Sequence, residues 1–211
     1  MACGRHRIRR LRRTHGIEAR RLRRFRAASQ ARNKAPSAPN RLNRAFNLPA
    51  PNRVWAGDIT FIATHRGWRY LAVLLDLFSR PVVGAAMSAR PDGQRVCDAL
   101  NRAVGHRTPG VGFIHHSDQG IPYASRLYPA RLQAYGMQPS MSRKGNGDDN
   151  AGVESFFSTL KNEGVFHRTF LDRDPSRAAL FDYIELFYNR QRRHASLNDQ
   201  SPVMYEAQSD D

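Results

Sequence analysis

Apolar and polar positions along this chain separate into strand-like blocks and helical stripes. Residues 54–62 (VWAGDITFI) alternate well enough for a strand, with Asp58 in its middle. Residues 68–77 (WRYLAVLLDL) are almost continuously apolar, as in a central strand covered on both faces. Ser79-Arg80-Pro81 makes a turn, and residues 82–87 give a third strand. The three follow one another too closely for helical crossovers, which predicts an antiparallel meander. Residues 92–104 have helical spacing in Val96, Leu100, Ala103 and Val104. Residues 111–115 predict a fourth strand ending just before Asp118, residues 125–135 a helix, and residues 137–141 a fifth strand. The expectation is an α/β layer with a five-stranded mixed sheet, three antiparallel strands and then two parallel ones, flanked by helices.

A polar, glycine-rich loop (residues 142–150) then runs into a helix with two stripes. At about 100° per residue, Val153, Phe156, Phe157 and Leu160 share one face, which must meet the core. Asn150, Glu154, Ser158 and Lys161 share a second, polar face beside it. A further helix is predicted over residues 177–194, with Leu180, Tyr183, Ile184, Phe187 and Tyr188 as its stripe. Ser201-Pro202 marks the start of a last short turn.

Charge changes the picture at the N-terminus. Residues 1–34 hold twelve Arg and one Lys against Glu18 alone, a net +12 out of +16 for the 211 residues. A basic helical arm on a nearly balanced domain points to a polyanion, most simply nucleic acid. Ile8 and Leu11, then Thr14-His15-Gly16, then Ile17, Leu22 and Phe25 fit two short helices around a turn, a helix-turn-helix-like pattern. The alternative is a solvated basic arm that orders on DNA; either form would mainly contact phosphates. Residues 35–51 carry four prolines and no periodicity, so they read as an extended linker, and the core begins at residue 52. No apolar run is long enough to span a membrane, and the arm lacks an apolar face for membrane insertion. Cys3 and Cys97 are too few for a disulfide framework, which fits a reducing cytoplasm.

Four acids ask for an explanation. Asp is disfavoured inside strands, yet Asp58 lies there; its bland reading is an edge position facing solvent. Asp76 at the end of the second strand is a rival, with a turn-capping role ahead of Ser79-Arg80 as the alternative. Asp118 sits in His115-His116-Ser117-Asp118-Gln119-Gly120 at a strand end, where α/β sheets place ligand groups, or where an Asx turn would use Gly120. The histidine pair does not make a metal site, because neighbours on a strand point to opposite faces. Glu154 has its own bland reading, a Glu–Lys pair on a solvated helix face. Three carboxylates on separate elements of a basic protein suit Mg²⁺ or Mn²⁺. Two such ions about 4 Å apart can activate an attacking oxygen and stabilise a leaving one at a phosphodiester.

The chain resembles the catalytic OrfB-type proteins of bacterial insertion sequences, which carry a retroviral-integrase-like core of RNase H-like fold. The resemblance lies in WAGDITFI at 55–62, YLAVLLDLFSRPVVGAAMS at 70–88, FIHHSDQGIPYAS at 113–125, SMSRKGNGDDNAGVESFFSTLKNE at 140–163 and FYNRQRRHASLNDQSPVMYE at 187–206. It covers about residues 40–207. Thirty-five residues separate Asp118 from Glu154, the spacing of the family's DDE pattern. By position, the resemblance implies that Asp58, Asp118 and Glu154 are catalytic and hold two Mg²⁺ or Mn²⁺ ions. It implies that Asn150 and Lys161 lie near DNA; Arg143, Lys144 and Arg192, with Arg20, Arg21, Arg23 and Arg24 of the arm, are further candidate contacts. The implied activity is transposition: hydrolysis at the transposon end, then attack of the freed 3′-hydroxyl on target DNA. The implied partners are terminal inverted repeats, target DNA, further copies of the chain, and a helix-turn-helix partner from an upstream reading frame. The setting is the bacterial cytoplasm, at the nucleoid. The alternatives are a truncated, inactive DNA-binding remnant, suggested by the abrupt start, and a ribonuclease of the same fold.

Two departures stand out. Gly147-Asp148-Asp149-Asn150 occupies a place where relatives usually show Cys-Trp-Asp-Asn, which would loosen the loop and add negative charge. Asn198-Asp199 stands where Gly-Tyr is common, and Asn tolerates the left-handed turn that Gly would make.

Overall fold

The structure is a computed structural model and describes residues 4–17, 38–65, 67–90, 92–123, 125–143, 147–165 and 173–209. Its centre is the sheet β3-β2-β1-β4-β5. β1 (Val54–Thr64), β2 (Gly67–Asp76) and β3 (Val82–Ser88) form the antiparallel meander. β4 (Ile114–Ser117) and β5 (Gln138–Met141) add in parallel to the other edge of β1.

Strand alternation divides the core into two layers. Val54, Ala56, Leu71, Val73 and Leu75 face one side; Trp55, Ala72 and Leu74 face the other. The second side is covered by α2 (Gly93–His106) and α3 (Leu127–Ala134). The first is covered by α4 (Ala151–Thr159), which continues as π turns over Leu160–Val165, and by α5 (Arg173–Asp182), which continues as π turns over Tyr183–Tyr188. The continuous apolar run of β2 follows from this: both of its faces are roofed.

Several boundaries differ from the sequence reading, most by one or two residues. β4 starts at Ile114 and not at Val111, because Gly112 turns the chain at φ +81° and leaves Val111 fully exposed. The helix expected over 177–194 starts earlier, at Arg173, and its turns end at Tyr188. There the Asn189 side chain takes over the β3 edge: its Oδ1 accepts from Val82 N at 2.9 Å, and its Nδ2 donates to Val82 O at 3.0 Å. α3 begins two residues later than expected.

The C-terminal turn forms as α6 (Pro202–Ala207), with the Ser201 hydroxyl capping Met204 N and Pro202 at its first position. Glu206 of α6 accepts from Ser79 and pairs with Arg107, which pins the end of the chain to the β2–β3 turn and to α2. Asn198 and Asp199 do adopt left-handed φ, at +53° and +57°.

At the N-terminus, α1 (Arg5–Thr14) buries no residue, and it ends with Gly16 at φ +60° and Ile17 N donating to Arg12 O. The second half of the helix-turn-helix pattern, with Arg20, Arg21, Arg23 and Arg24, lies outside the described residues. Residues 38–51 lie along the core: Leu42 is buried within it, and Arg41 N donates to Ser140 Oγ at 2.9 Å.

Candidate active site at the β1–β4 junction

An acid inside a strand becomes intelligible once the register is seen. β4 pairs with β1 only as far as Gly57↔Ser117, whereas β2 runs beside β1 to Thr64. Asp58 is therefore the first β1 residue whose β4 neighbour has left the sheet, and Asp118, the residue after Ser117, is the group beside it. Alternation turns Asp58 to the side of Val54 and Ala56, the side roofed by α4. On the opposite face a Cβ at Gly57 would stand 2.9 Å from His115 Nε2, so the close β1–β4 approach needs glycine there.

Glu154 comes from the first turn of α4. The rotation of that helix is fixed by its apolar stripe: Val153, Phe156, Phe157 and Leu160 are all buried, and Phe156 meets the Tyr188 ring edge-on at 4.7 Å. Burying each such side chain stabilises by about 1.5–3 kcal/mol. With that stripe inward, Glu154 is exposed, and Ser158 and Lys161 border the core half-buried.

The acids share one electrostatic neighbourhood. The pKa of Asp58 is raised to about 7, by burial first, then by Asp118, with Glu154 adding; the Ile59 N–H and Lys161 act against this. Ile59 N donates to Asp58 Oδ1 at 2.7 Å. Asp118 is raised by burial, against the Gly120 N–H at 2.9 Å, so the expected Asx turn exists and occupies one of its two oxygens. Burial lowers the pKa of Lys161, and Asp58 opposes that. Among the described residues no three His, Cys, Asp or Glu side chains converge tightly enough to enclose a metal ion.

The neighbouring polar groups are satisfied. His115 Nε2 meets Tyr128 Oη at 2.7 Å on one face of β4; His116 meets Ser140 and Ser142 hydroxyls at 2.9 and 3.0 Å on the other. Burial holds both imidazoles neutral, at pKa about 3 and about 4. Asp76 is wholly buried and accepts from Asn52 N at 2.7 Å, Phe78 N at 2.8 Å and Trp55 Nε1 at 3.2 Å. It is a structural acid, more deeply built in than a turn cap.

The candidate DNA contacts are dispersed. Arg143 is exposed. Arg192 is engaged by Glu163, with Nε 2.9 Å from Oε2 and Nη2 3.0 Å from Oε1. Asn150 is buried rather than surface-facing, because the 3₁₀ turn Gly147–Asn150 folds it inward; its Oδ1 has no partner among the described residues. Lys144 lies outside the described residues. Asp149 is drawn inward, to Asn40 Nδ2 at 2.8 Å and Arg44 Nε at 3.5 Å.

One residue absent from the sequence reading is Tyr123. It is fully buried, its hydroxyl has no partner among the described residues, and its ionisation is pushed well up by burial, then Asp58, Tyr128 and Asp118. An aromatic three residues after the Asp118–Gly120 turn was the available signal.

Comparison with known proteins adds the family. A model described as Integrase core domain matches residues 49–147, and a second of the same description matches residues 154–209. The "Insertion element IS600 uncharacterized 31 kDa protein" of Shigella sonnei is 43% identical over 202 residues, covering 96% of this chain and 74% of that protein. Transposase InsF for insertion sequence IS3fB of Escherichia coli (strain K12) is 43% identical over 197 residues, 93% of this chain and 68% of that one. Among solved structures, the HTLV-2 integrase catalytic core domain in complex with magnesium aligns with TM-score 0.56 at 17% identity, over 74% of this chain and 97% of that one. The catalytic core domain of BIV integrase aligns with TM-score 0.57 at 16% identity, over 75% and 96%. These likenesses establish the RNase H-like fold.

Proposed function

Since this chain belongs to the integrase-core transposases of insertion sequences and acts in DNA transposition and integration, we propose that Asp58, Asp118 and Glu154 are its catalytic residues. The observation that carries this is the β1–β4 register, which ends at Gly57↔Ser117 and so sets Asp58 and Asp118 abreast under the helix that bears Glu154. The alternative of an inactive DNA-binding remnant is not favoured.

The donor set fits a hard divalent cation. Asp58 and Asp118 each accept one backbone N–H, which leaves oxygens over, and burial raises the pKa of both, with Asp118 and Glu154 adding for Asp58. Asp58, Asp118 and Glu154 would hold two Mg²⁺ or Mn²⁺ ions. Bound there, such ions supply activation of the attacking oxygen and stabilisation of the leaving one. The chain does the rest. α4 holds Glu154 over the strand ends through its buried stripe. Lys161 adds a positive charge near Asp58. Tyr123 keeps its proton, so its hydroxyl remains a donor beside the two aspartates. Cys97 is buried on the far side of the sheet and offers no nucleophile to the site.

In the first step water attacks a phosphodiester at the transposon end; the P–O3′ bond breaks and a 3′-hydroxyl leaves. In the second, that hydroxyl attacks a phosphodiester of target DNA and displaces its 3′ oxygen, so bonds broken and formed balance without a covalent enzyme intermediate. The domain scheme is a basic helix-turn-helix-like segment at 1–34, a linker at 35–51 and the catalytic core at 52–207. Terminal inverted repeats, target DNA, further copies of this chain and an upstream-frame helix-turn-helix partner are the proposed partners, in the cytoplasm at the nucleoid. Arg143, Lys161 and the basic arm are proposed to contact DNA.

The test is Glu154→Gln in a strand-transfer assay on terminal-repeat DNA with Mg²⁺. Binding by gel shift is expected to persist while cleavage and joining disappear. Joining retained by this variant would overturn the assignment.

A further inference from the structure

Roughly a third of a turn around α4 from Glu154, a cavity of about 610 Å³ opens between α4, the β2–β3 turn and the segment after Tyr188. Gly152, Ser155 and Thr159 of α4, Arg80 of the turn, and Arg193 and His194 line it. Asp199 is the lining acid against three arginines, and one of those, Arg192, is already held by Glu163.

Three details mark the cavity as built. Arg80 has φ +66°, a left-handed conformation costly for a residue with a side chain, held by Arg80 N donating to Asp76 O at 3.0 Å. Its guanidinium lies against Gly152, where a Cβ would stand 2.6 Å from Arg80 Nη1; any side chain at 152 would displace it. Among the described residues this half-buried guanidinium donates to no acceptor, although burial depresses its pKa. Beside it, His194 Nε2 is sealed from water without a hydrogen-bond partner among the described residues, and the ring packs edge-on against Tyr188 at 5.0 Å. A buried ring nitrogen with no hydrogen-bond partner among the described residues, next to a guanidinium that shares only the charge of buried Asp76, is a costly arrangement unless something is meant to enter. The two hydroxyls of Ser155 and Thr159 complete a set of donors suited to a tetrahedral oxyanion.

We propose that this cavity seats a backbone phosphate of the DNA strand being processed, and that residues 189–199 fold back onto α4 to build it. The proposal rests on the transposase reading and adds a second DNA anchor to it. A helix is about 10 Å across, or about three base-pair rises of about 3.4 Å. One strand can therefore have a phosphate here and a scissile bond at Glu154, with α4 as the ruler between them. DNA is favoured over an acidic segment of a second copy because arginines outnumber the single lining acid and the cavity adjoins the helix that carries Glu154.

The test compares Arg80→Gln, Arg193→Gln and Gly152→Ala with the intact chain in duplex binding over a range of salt. Arg193 is exposed, so its variant is expected to fold normally; Gly152→Ala removes no charge and acts by displacing Arg80. The first two are expected to lower the slope of log K against log salt by about 1 each, and Gly152→Ala to weaken binding in step with Arg80→Gln. A duplex with uncharged methylphosphonate linkages placed one at a time identifies the phosphate. The intact chain should lose affinity at one linkage near the cleavage position, and Arg80→Gln should show no further loss there. Unchanged slopes and no sensitive linkage, with Glu154→Gln still unable to join DNA, would overturn the pocket and leave the transposase reading standing. A change of oligomeric state in Arg193→Gln with DNA affinity intact would also overturn it, in favour of a protein occupant.

Discussion

Asp58 and Asp76 lie on neighbouring antiparallel strands, and the chain sequence presents them almost alike, each an acid in an apolar run. The structure gives them opposite surroundings. Asp76 has no exposed surface and three N–H donors, so its charge is spread into hydrogen bonds that tie Asn52, Trp55 and Phe78 together. Asp58 has one backbone donor and looks at Asp118 and Glu154, so its charge is opposed rather than absorbed. A buried acid that is fully satisfied holds a fold together. One that is short of donors and crowded by other acids is kept for something that arrives.

The sharpest way to break the comparison is to neutralise each in turn. Asp58→Asn is expected to reduce strand transfer by at least about a thousandfold, the scale of losing a group that organises transition-state charge. Its thermal midpoint should hold or rise, since a repulsion is removed. Asp76→Ala should do the reverse. Leaving three donors unpaired in a dry site costs on the order of 3 kcal/mol, so denaturant midpoints fall, and activity per folded molecule stays. If both variants lose stability equally, the distinction between the two acids fails.

The histidines beside Asp118 extend the satisfied class, and pH tests them. His115 has its pKa lowered to about 3 by burial, against about 6.5 in an unfolded chain. Between those values the unfolded chain takes up a proton that the fold refuses, so stability falls as pH drops below 6.5. From pH 6.5 to 5 the loss from this group is at most about 2 kcal/mol. Asp58, raised to about 7, titrates with the opposite sign across the same window, gaining stability as pH falls. The useful readout is therefore the difference between the intact chain and His115→Gln in chemical denaturation. It should shrink from pH 7 to pH 5; a constant difference would place His115 outside the satisfied class.

Which of these features could be read in the sequence follows from how local they are. The two stripes of α4 depend on residues three and four apart, so Val153, Phe156, Phe157 and Leu160 were legible as the buried face, and Glu154 as the polar one. The continuous run of β2 was legible because covering both faces leaves no polar position. The parallel β1–β4 pairing joins residues some sixty apart and leaves no mark on either strand alone, so Asp58 and Asp118 came together only through resemblance to a known family. The turn-capping reading of Asp76 holds through Phe78 N, but its wider role was hidden for the same reason: Asn52 and Trp55 are distant in sequence. The predicted helix over 177–194 overran because Asn189 leaves it for a contact with Val82, 107 positions away. Arg80 was read only as part of a turn, since nothing near it in sequence announces Gly152.

A smaller effect separates the acids by ligand rather than by mutation. Mg²⁺ or Mn²⁺ at ten times its dissociation constant should stabilise the intact chain by about 1.4 kcal/mol, seen as a raised thermal midpoint. Asp76→Ala should keep this response from its lower baseline, and Asp58→Asn should lose it. A response that survives Asp58→Asn would move the ion away from the β1–β4 junction.

The finest test concerns Tyr123, which belongs to neither class by sequence. It is as buried as Asp76, yet its hydroxyl has no hydrogen-bond partner among the described residues, fewer even than Asp58. If the hydroxyl were structural, Tyr123→Phe would cost the usual ~1 kcal/mol of a lost hydrogen bond. Because it has no such bond to lose, stability is expected to stay within about 0.5 kcal/mol or to rise. Its proton stays on in the field of Asp58 and Asp118, so it can donate to whatever occupies the space between those carboxylates and the DNA. Joining is then expected to slow by about threefold, less than 1 kcal/mol of barrier, with DNA affinity unchanged. A stability loss without any change in joining would assign Tyr123 to the fold and leave Asp58, Asp118 and Glu154 without its help.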